Sequence, residues 1–206
     1  MPPDDAGRAG HRANRGIGQE LARQLALRGD AVVLTARDLT KAERAAAALG
    51  GHERVLARRL EVTDPASIEQ VAADLTGRYG RLDALVNLLG AWQTSLSLLP
   101  LLRASGHGRI VNVSGEAGSL AAMDGGPPAY HVSKAALNAL TRMLAGELRR
   151  DRILVNAVCP GWVATDMGGP GGRPVAEGAT SILWAIDLPD NGSTGGFYRD
   201  GHPVPW

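Results

Sequence analysis

Two hydrophobic patterns take turns along the chain: apolar residues at helical spacing, and short apolar runs of the kind that fill strands. Ile17, Leu21 and Leu25 repeat every four residues up to Gly29, predicting a helix with a glycine stop. Ala31 to Thr35 predicts a strand, alanine-rich Lys41 to Leu49 a helix, and Val55 to Val62 the next strand. Thr63-Asp64-Pro65 then opens a helix carrying Ile68, Val71 and Leu75, with Asp64 as expected N-cap and Pro65 at the first helical position. Leu82 to Val86 predicts a strand. Leu88, Trp92, Leu96, Leu99 and Leu102 fall on one helical face, and Ile110 to Ser114 follows as a strand. Tyr130 to Arg150 predicts a long helix with Leu137, Leu140, Leu144 and Leu148 inward, Ile153 to Cys159 a last strand, and Ala176 to Ile186 a last helix before a short tail. Strands alternating with helices predict an α/β chain with a parallel sheet rather than a bundle or a sandwich.

Composition narrows this little. With 206 residues, 44% hydrophobic and 21% charged, the chain suits one globular domain with a sizeable core. A net charge of +1 gives no reason to expect nucleic acid or an anionic membrane as partner. Met1-Pro-Pro-Asp-Asp5 starts no apolar run, so neither signal peptide nor membrane span is expected, and a cytoplasmic location follows. One cysteine, Cys159, allows no internal disulfide and is expected to be a buried strand residue. The five histidines show no metal-ligand spacing, so no metal is expected. Asn112-Val-Ser114 matches a glycosylation acceptor, discounted without a signal peptide.

Candidate chemistry begins at Asn14-Arg15-Gly16-Ile17-Gly18, where two glycines open a helix whose free N–H groups could hold a pyrophosphate. Alone, such a pair is more often a tight turn. A strand some fifteen residues on ends in Thr35-Ala-Arg37-Asp38, the place where a dinucleotide fold meets the adenosine ribose. An acidic residue there would suit a 2′-hydroxyl, whereas a guanidinium suits a 2′-phosphate. Arg37 with Arg15 therefore points to NADP(H), the alternative being two solvated arginines.

Tyr130-His-Val-Ser-Lys134 puts a phenol and an ammonium one helical turn apart. Taken alone this is a common surface pair. It stands, however, after Arg109-Ile-Val-Asn-Val-Ser114 and before Ile153-Leu-Val-Asn-Ala-Val-Cys-Pro-Gly161. In that order the motifs resemble the short-chain dehydrogenases/reductases, from Ala13 to Trp206, and Cys159 to Met167 is most similar to the carbonyl reductase branch. The resemblance implies a Rossmann-type doubly wound sheet and hydride transfer from NADPH to an aldehyde or ketone. It makes Tyr130 the general acid, and Lys134 the group that lowers the tyrosine pKa and bonds the nicotinamide ribose. It casts Glu61 and Val62, Pro160 and Gly161, Val163 and Thr165 as cofactor-binding, Thr165 toward the carboxamide, with a helix cap or loop polar residue as that threonine's other reading. It also implies pairing of subunits through Trp92 to Leu102 and Tyr130 to Arg150.

Three departures accompany the resemblance. The family opens on an apolar strand running into Thr-Gly-x-x-x-Gly-x-Gly, whereas residues 7–12 read Gly-Arg-Ala-Gly-His-Arg, with Arg12 at the first glycine. The central strand is expected to be degraded or missing, with residues 1–12 an atypical segment before the domain of 13–206. Codons for those six residues, read one base later, can spell Val-Val-Leu-Val-Thr-Gly, which suggests a frame error before Ala13. Next, Leu85-Val-Asn87 runs straight into Leu88-Leu-Gly-Ala-Trp92 where the family has Val-Asn-Asn-Ala-Gly and more, so about 25 residues of loop and helix are expected to be gone. Asn87 matches the asparagine of the family's proton relay, with a helix cap as its other reading. Last, Ser114-Gly115-Glu-Ala-Gly118 stands for Ser-Ser-x-x-Gly: Gly115 takes the catalytic serine's place, and Ser114 substitutes only if the strand end is bulged. Two functions follow: an NADPH-dependent carbonyl reductase slowed by Gly115, or a nucleotide-binding relic without turnover. Trp162 and Met167 line the substrate pocket or pack the core.

Overall fold

The computed structural model describes residues 7–11, 14–50, 54–88 and 90–206. Eight strands form one sheet in the order β3-β2-β1-β4-β5-β6-β7-β8. The strands are β1 (Gly7–His11), β2 (Ala31–Ala36), β3 (Val55–Arg59), β4 (Ala84–Asn87), β5 (Arg109–Val113), β6 (Leu154–Val158), β7 (Phe197–Arg199) and β8 (His202–Pro203). All neighbours run parallel except β7 and β8, which form an antiparallel hairpin. The helices are α1 (Gly16–Leu27), α2 (Leu39–Ala48), α3 (Pro65–Tyr79), α4 (Ala91–Ser105), α5 (Pro128–Glu147) and α6 (Val175–Ile186).

Alternation along the strands feeds two cores. Val32, Leu34, Val86, Val111 and Val158 face α1, α2 and α6, where Leu21, Leu25, Ala45 and Ile182 cover them. Val33, Leu85, Ile110 and Val155 point the other way, toward Ile68, Leu75, Leu102 and Leu144 of α3, α4 and α5. Burying a large aliphatic side chain this fully contributes about 1.5–3 kcal/mol, and doing so on both faces is what a doubly wound α/β sheet requires.

The first strand is degraded in sequence but keeps its place: Gly7–His11 pairs with β2 on one side and β4 on the other. A ladder needs only backbone N–H and C=O groups, and β2 and β4 would each be left with an open edge without it. The reading of Arg12 lies outside the described residues.

Several boundaries differ from the sequence pattern. The strand expected through Val62 stops at Arg59, because the chain turns at Glu61, whose backbone oxygen accepts from Asp64 N–H at 3.0 Å. Asp64 occupies the N-cap of α3 without a side-chain capping bond; its carboxylate lies 3.8 Å from Arg59 instead. The inward face of α4 is Ala91, Thr94, Ser95, Leu98, Leu101 and Leu102, leaving Trp92 and Leu96 exposed. Cys159 is buried one residue beyond β6. The tail after α6 folds as β7 and β8, joined by Asp200-Gly201, both at positive φ (49° and 79°), the conformation of a tight hairpin turn.

Strand order reverses between β1 and β4, and open α/β sheets bind their ligands in the crevice outside the carboxyl ends of the strands at such a point. The loops after β2, β3, β5 and β6 leave the sheet at that end.

Candidate active site

α5 brings Tyr130 and Lys134 to the end of β5. The Lys134 ammonium donates to the Val113 carbonyl at 2.8 Å and lies 5.8 Å from the centroid of the Tyr130 ring. Two residues beyond Val113, Gly115 is extended (φ −165°, ψ 160°), and a β-carbon built on it would stand 3.3 Å from the Tyr130 hydroxyl. Ser114 is buried, and its hydroxyl has no hydrogen-bond partner, the Tyr130 hydroxyl included. The strand end carries no bulge that would swing Ser114 round: its N–H still bonds Val158 O at 2.8 Å. Gly118 closes the loop against α5, where a β-carbon would come within 2.7 Å of the Lys134 backbone.

Burial raises the Tyr130 phenol above its usual pKa, and its interaction with Cys159 acts the same way. Burial lowers that of Lys134. This direction for Tyr130 runs opposite to the lowering that the resemblance implies, with burial as its main cause, and the Lys134 ammonium bonds Val113 O.

Asn87 is fully buried at the end of β4. Its amide donates to Ser95 Oγ at 3.1 Å and Asn112 Oδ1 at 3.0 Å, while Asn112 donates to Thr141 Oγ1 at 2.9 Å. This chain of bonds ties β4, α4, β5 and α5 together, and it shows Asn87 as an internal fastener. The N-cap of α4 is Gly90, so Asn87 does not cap that helix. Burial of Asn112 also removes it from any glycosylating enzyme.

At the other side of the crevice, Asn14 and Arg15 lead into α1, with Ile17 against the core and Gly18 buried in the first turn. The side chain of the N-cap, Arg15, makes no capping bond and no acidic residue lies in the first turn, so among the described residues nothing neutralises its positive end, which suits an anion. Thr165 reaches it from the loop after β6: a β-carbon on Gly16 would lie 3.3 Å from Thr165 Cγ2. The Thr165 hydroxyl accepts from Gly168 N–H at 3.2 Å and donates to Val163 O at 3.4 Å, holding a turn. Arg15 bonds Asp166 at 2.9 Å, whereas Arg37, just past β2, is exposed. Glu61 accepts from Thr63 N–H at 3.3 Å and its hydroxyl at 3.1 Å. Beside it, Val62 packs on the backbone of Gly90 (φ 65°), where any side chain would collide. Gly161 (φ 78°) makes the turn after Pro160, and Val163 is buried. Trp162 and Met167 are 71% and 83% exposed, which is incompatible with core packing.

Gly90 against Val62, Arg173 against Gly161, and the ion pair of Arg199 with Glu116, directly after Gly115, lie beside these loops and were not evident from sequence. Gly90 ends the Asn87-Leu-Leu-Gly90 stretch where the family has Asn-Asn-Ala-Gly, and Asp200-Gly201 marks the hairpin that carries Arg199. Nothing in the sequence marks Glu116 or Arg173.

A crevice at the strand reversal, an uncapped glycine-led helix and a tyrosine–lysine pair belong to an α/β oxidoreductase of the dinucleotide-binding class. The profile of the family described as short chain dehydrogenase matches residues 12–98 and again 86–173. Salutaridine reductase of Papaver somniferum is 30% identical over 285 aligned residues, covering 90% of this chain and 91% of that protein. Carbonyl reductase [NADPH] 1 of Sus scrofa is 31% identical over 271, covering 94% and 92%. The solved NADPH-bound carbonyl reductase from chicken fatty liver superposes with TM-score 0.89 at 27% identity, covering 98% of this chain and 94% of that one. The chain belongs to the short-chain dehydrogenase family, in a branch similar to the carbonyl reductases. Both sequence alignments run longer than the 206 residues here, and the two profile matches overlap at 86–98, where β4 passes to α4. That is where the sequence predicts a lost loop and helix.

Among the described residues no helix is long and apolar enough to cross a membrane, and no group of three or more metal-ligating side chains occurs.

Proposed function

We propose that this chain is an NADPH-dependent carbonyl reductase whose proton donor is Tyr130, working below its family's rate because Gly115 stands in the serine's place. The observation that carries the reading is the convergence of Tyr130, Lys134 and the Gly115 backbone at the crevice mouth.

The residues present fit the cofactor. The open positive end of α1 suits a pyrophosphate, and Arg37 with Arg15 suits a 2′-phosphate, once Arg15 exchanges Asp166 for it. Lys134 spends one of its three protons on Val113 O, keeping two for ribose hydroxyls. Thr165, with Pro160, Gly161 and Val163, would position the carboxamide; Glu61 and Val62 would border the adenine. When bound, NADPH supplies the hydride.

Tyr130 supplies the proton. Its raised pKa keeps the phenol protonated throughout the neutral range, the state that reduction needs. Exposure of 41% leaves the hydroxyl reachable by a substrate. A serine side chain would add a second donor to the carbonyl oxygen; without it, Tyr130 polarises that oxygen alone. Exposed Trp162 and Met167 suit an apolar substrate body. Exposed Trp92 and Leu96 on α4 and Met143 on α5 suit pairing with a second copy.

Titration with NADPH, followed by its oxidation in the presence of a panel of aldehydes and ketones, tests the reading. Saturable binding with turnover that Tyr130→Phe abolishes supports it. Binding with no turnover in either the parent or Gly115→Ser favours the nucleotide-binding relic.

A further inference from the structure

The C-terminal hairpin meets both loops that face the reacting centre. Arg199, the last residue of β7, is ion-paired with Glu116, the residue directly after Gly115. The same guanidinium donates to Cys159 Sγ at 3.4 Å, one residue before Pro160. Asp200, next in the chain, accepts twice from Arg173 Nη1 at 3.0 and 2.9 Å. Arg173 in turn lies across the Pro160–Gly161 turn: its guanidinium donates to Pro160 O at 3.4 Å, and a β-carbon on Gly161 would meet its Cδ at 3.0 Å. Backbone bonds from Arg173 N–H to Trp162 O (2.7 Å) and from Ala164 N–H to Arg173 O (2.9 Å) carry that hold into the loop bearing Thr165.

The hairpin turn aims these neighbours apart. Asp200 sits at φ 49°, a conformation that few residues other than glycine, asparagine and aspartate adopt readily, and its N–H donates to Ser181 Oγ at 2.9 Å, anchoring the turn on α6. Two adjacent residues of opposite charge thereby reach two different loops.

We propose that Arg199 and Asp200 are positioning residues, Arg199 fixing the Gly115–Glu116 strand end under Tyr130 and Asp200, through Arg173, fixing the Pro160–Gly161 turn. Their kinetic consequence rests on the reductase reading above. The side chains of Arg199, Glu116, Arg173 and Asp200 are 33%, 52%, 25% and 43% exposed, so these pairs add little to global stability. Their effect is on loop position, where a shift of about 1 Å can cost on the order of a hundredfold in rate.

The test compares Arg199→Met, Arg199→Lys and Asp200→Asn in the full-length chain, with turnover measured in the Gly115→Ser background. Arg199→Met is expected to lower kcat by about tenfold to a hundredfold with little change in KM for NADPH, and Arg199→Lys to recover part of it. Asp200→Asn is expected to act chiefly on NADPH affinity, raising Kd and KM several-fold. Hydrogen exchange on cofactor-free protein gives a readout independent of catalysis: faster exchange at 114–119 in Arg199→Met, and at 160–173 in Asp200→Asn. Both variants shifting the same parameter, or exchange unchanged in those two loops, would overturn the proposal. Loss of NADPH binding and turnover in the parent itself would sink the reductase reading while the exchange pattern still decides the positioning roles.

Discussion

Gly115 presents its bare α-carbon to the Tyr130 hydroxyl: the β-carbon it lacks would stand 3.3 Å from that oxygen. At φ −165° the backbone there accepts any residue, so a serine needs no rearrangement beyond a few tenths of an ångström.

Gly115→Ser is therefore expected to raise kcat for carbonyl reduction by roughly a hundredfold to a thousandfold, the value of one donor to a developing oxyanion. KM for NADPH should stay unchanged. Steady-state kinetics on both proteins checks this, and an unchanged kcat would show that Gly115 is not the limiting defect.

With Tyr130 as the proposed acid, the reduction rate should be flat through neutral pH and fall only in strongly alkaline solution, since burial raises the phenol from its ordinary value. A pH–rate profile in the Gly115→Ser background decides it. A fall beginning near pH 7 would mean that Lys134, bound to cofactor, lowers the tyrosine after all.

Arg37→Asp should reverse cofactor preference, weakening NADPH and strengthening NADH, since an acid at the end of β2 repels a 2′-phosphate and accepts from a 2′-hydroxyl. Paired titrations with the two cofactors measure the ratio. Equal weakening of both would mark Arg37 as a solvated arginine.

Asn112→Ala should destabilise the fold by about 1–3 kcal/mol, because it leaves the buried amide of Asn87 short of an acceptor and the Thr141 hydroxyl without its donor. Denaturant unfolding reads the loss directly. A midpoint unchanged from the parent would mean that water replaces the network.

Asp190→Asn should weaken the fold at neutral pH but not in acid. Hydrogen bonds from Arg109 and then His107 hold the Asp190 carboxyl below its ordinary value, so its contribution is complete above about pH 4. It is lost as pH falls through the lowered folded value. Thermal melts of both proteins across pH 2 to 7 should converge at the acid end; a constant gap would refute the assignment.

The alternation of β-branched runs with helical periodicity located every α-helix and five of the eight strands to within a few residues, because burial on both sheet faces writes itself into composition, whereas β7 and β8 are too short to show a pattern. β1 was the exception with a cause: five residues, two of them glycine, carry no strand pattern, yet β2 and β4 pair with that backbone. α4 misled for a related reason. Its buried stripe includes Thr94 and Ser95, the latter bonded to Asn87, so hydrophobicity pointed to Trp92 and Leu96, which lie outside.

The order of Tyr130-x-x-x-Lys134 between two recognisable strands determined the family and the candidate proton donor, since catalysis on one helix face demands fixed local spacing. Only the tertiary structure decided that the Asn87 amide is bonded inside the sheet, that the Ser114 hydroxyl makes no bond to Tyr130, and that Arg199 and Asp200 meet the loops after β5 and β6. These depend on which residues distant in sequence come within hydrogen-bonding reach. Local periodicity fixes which face a side chain takes but says nothing of the neighbour it finds there.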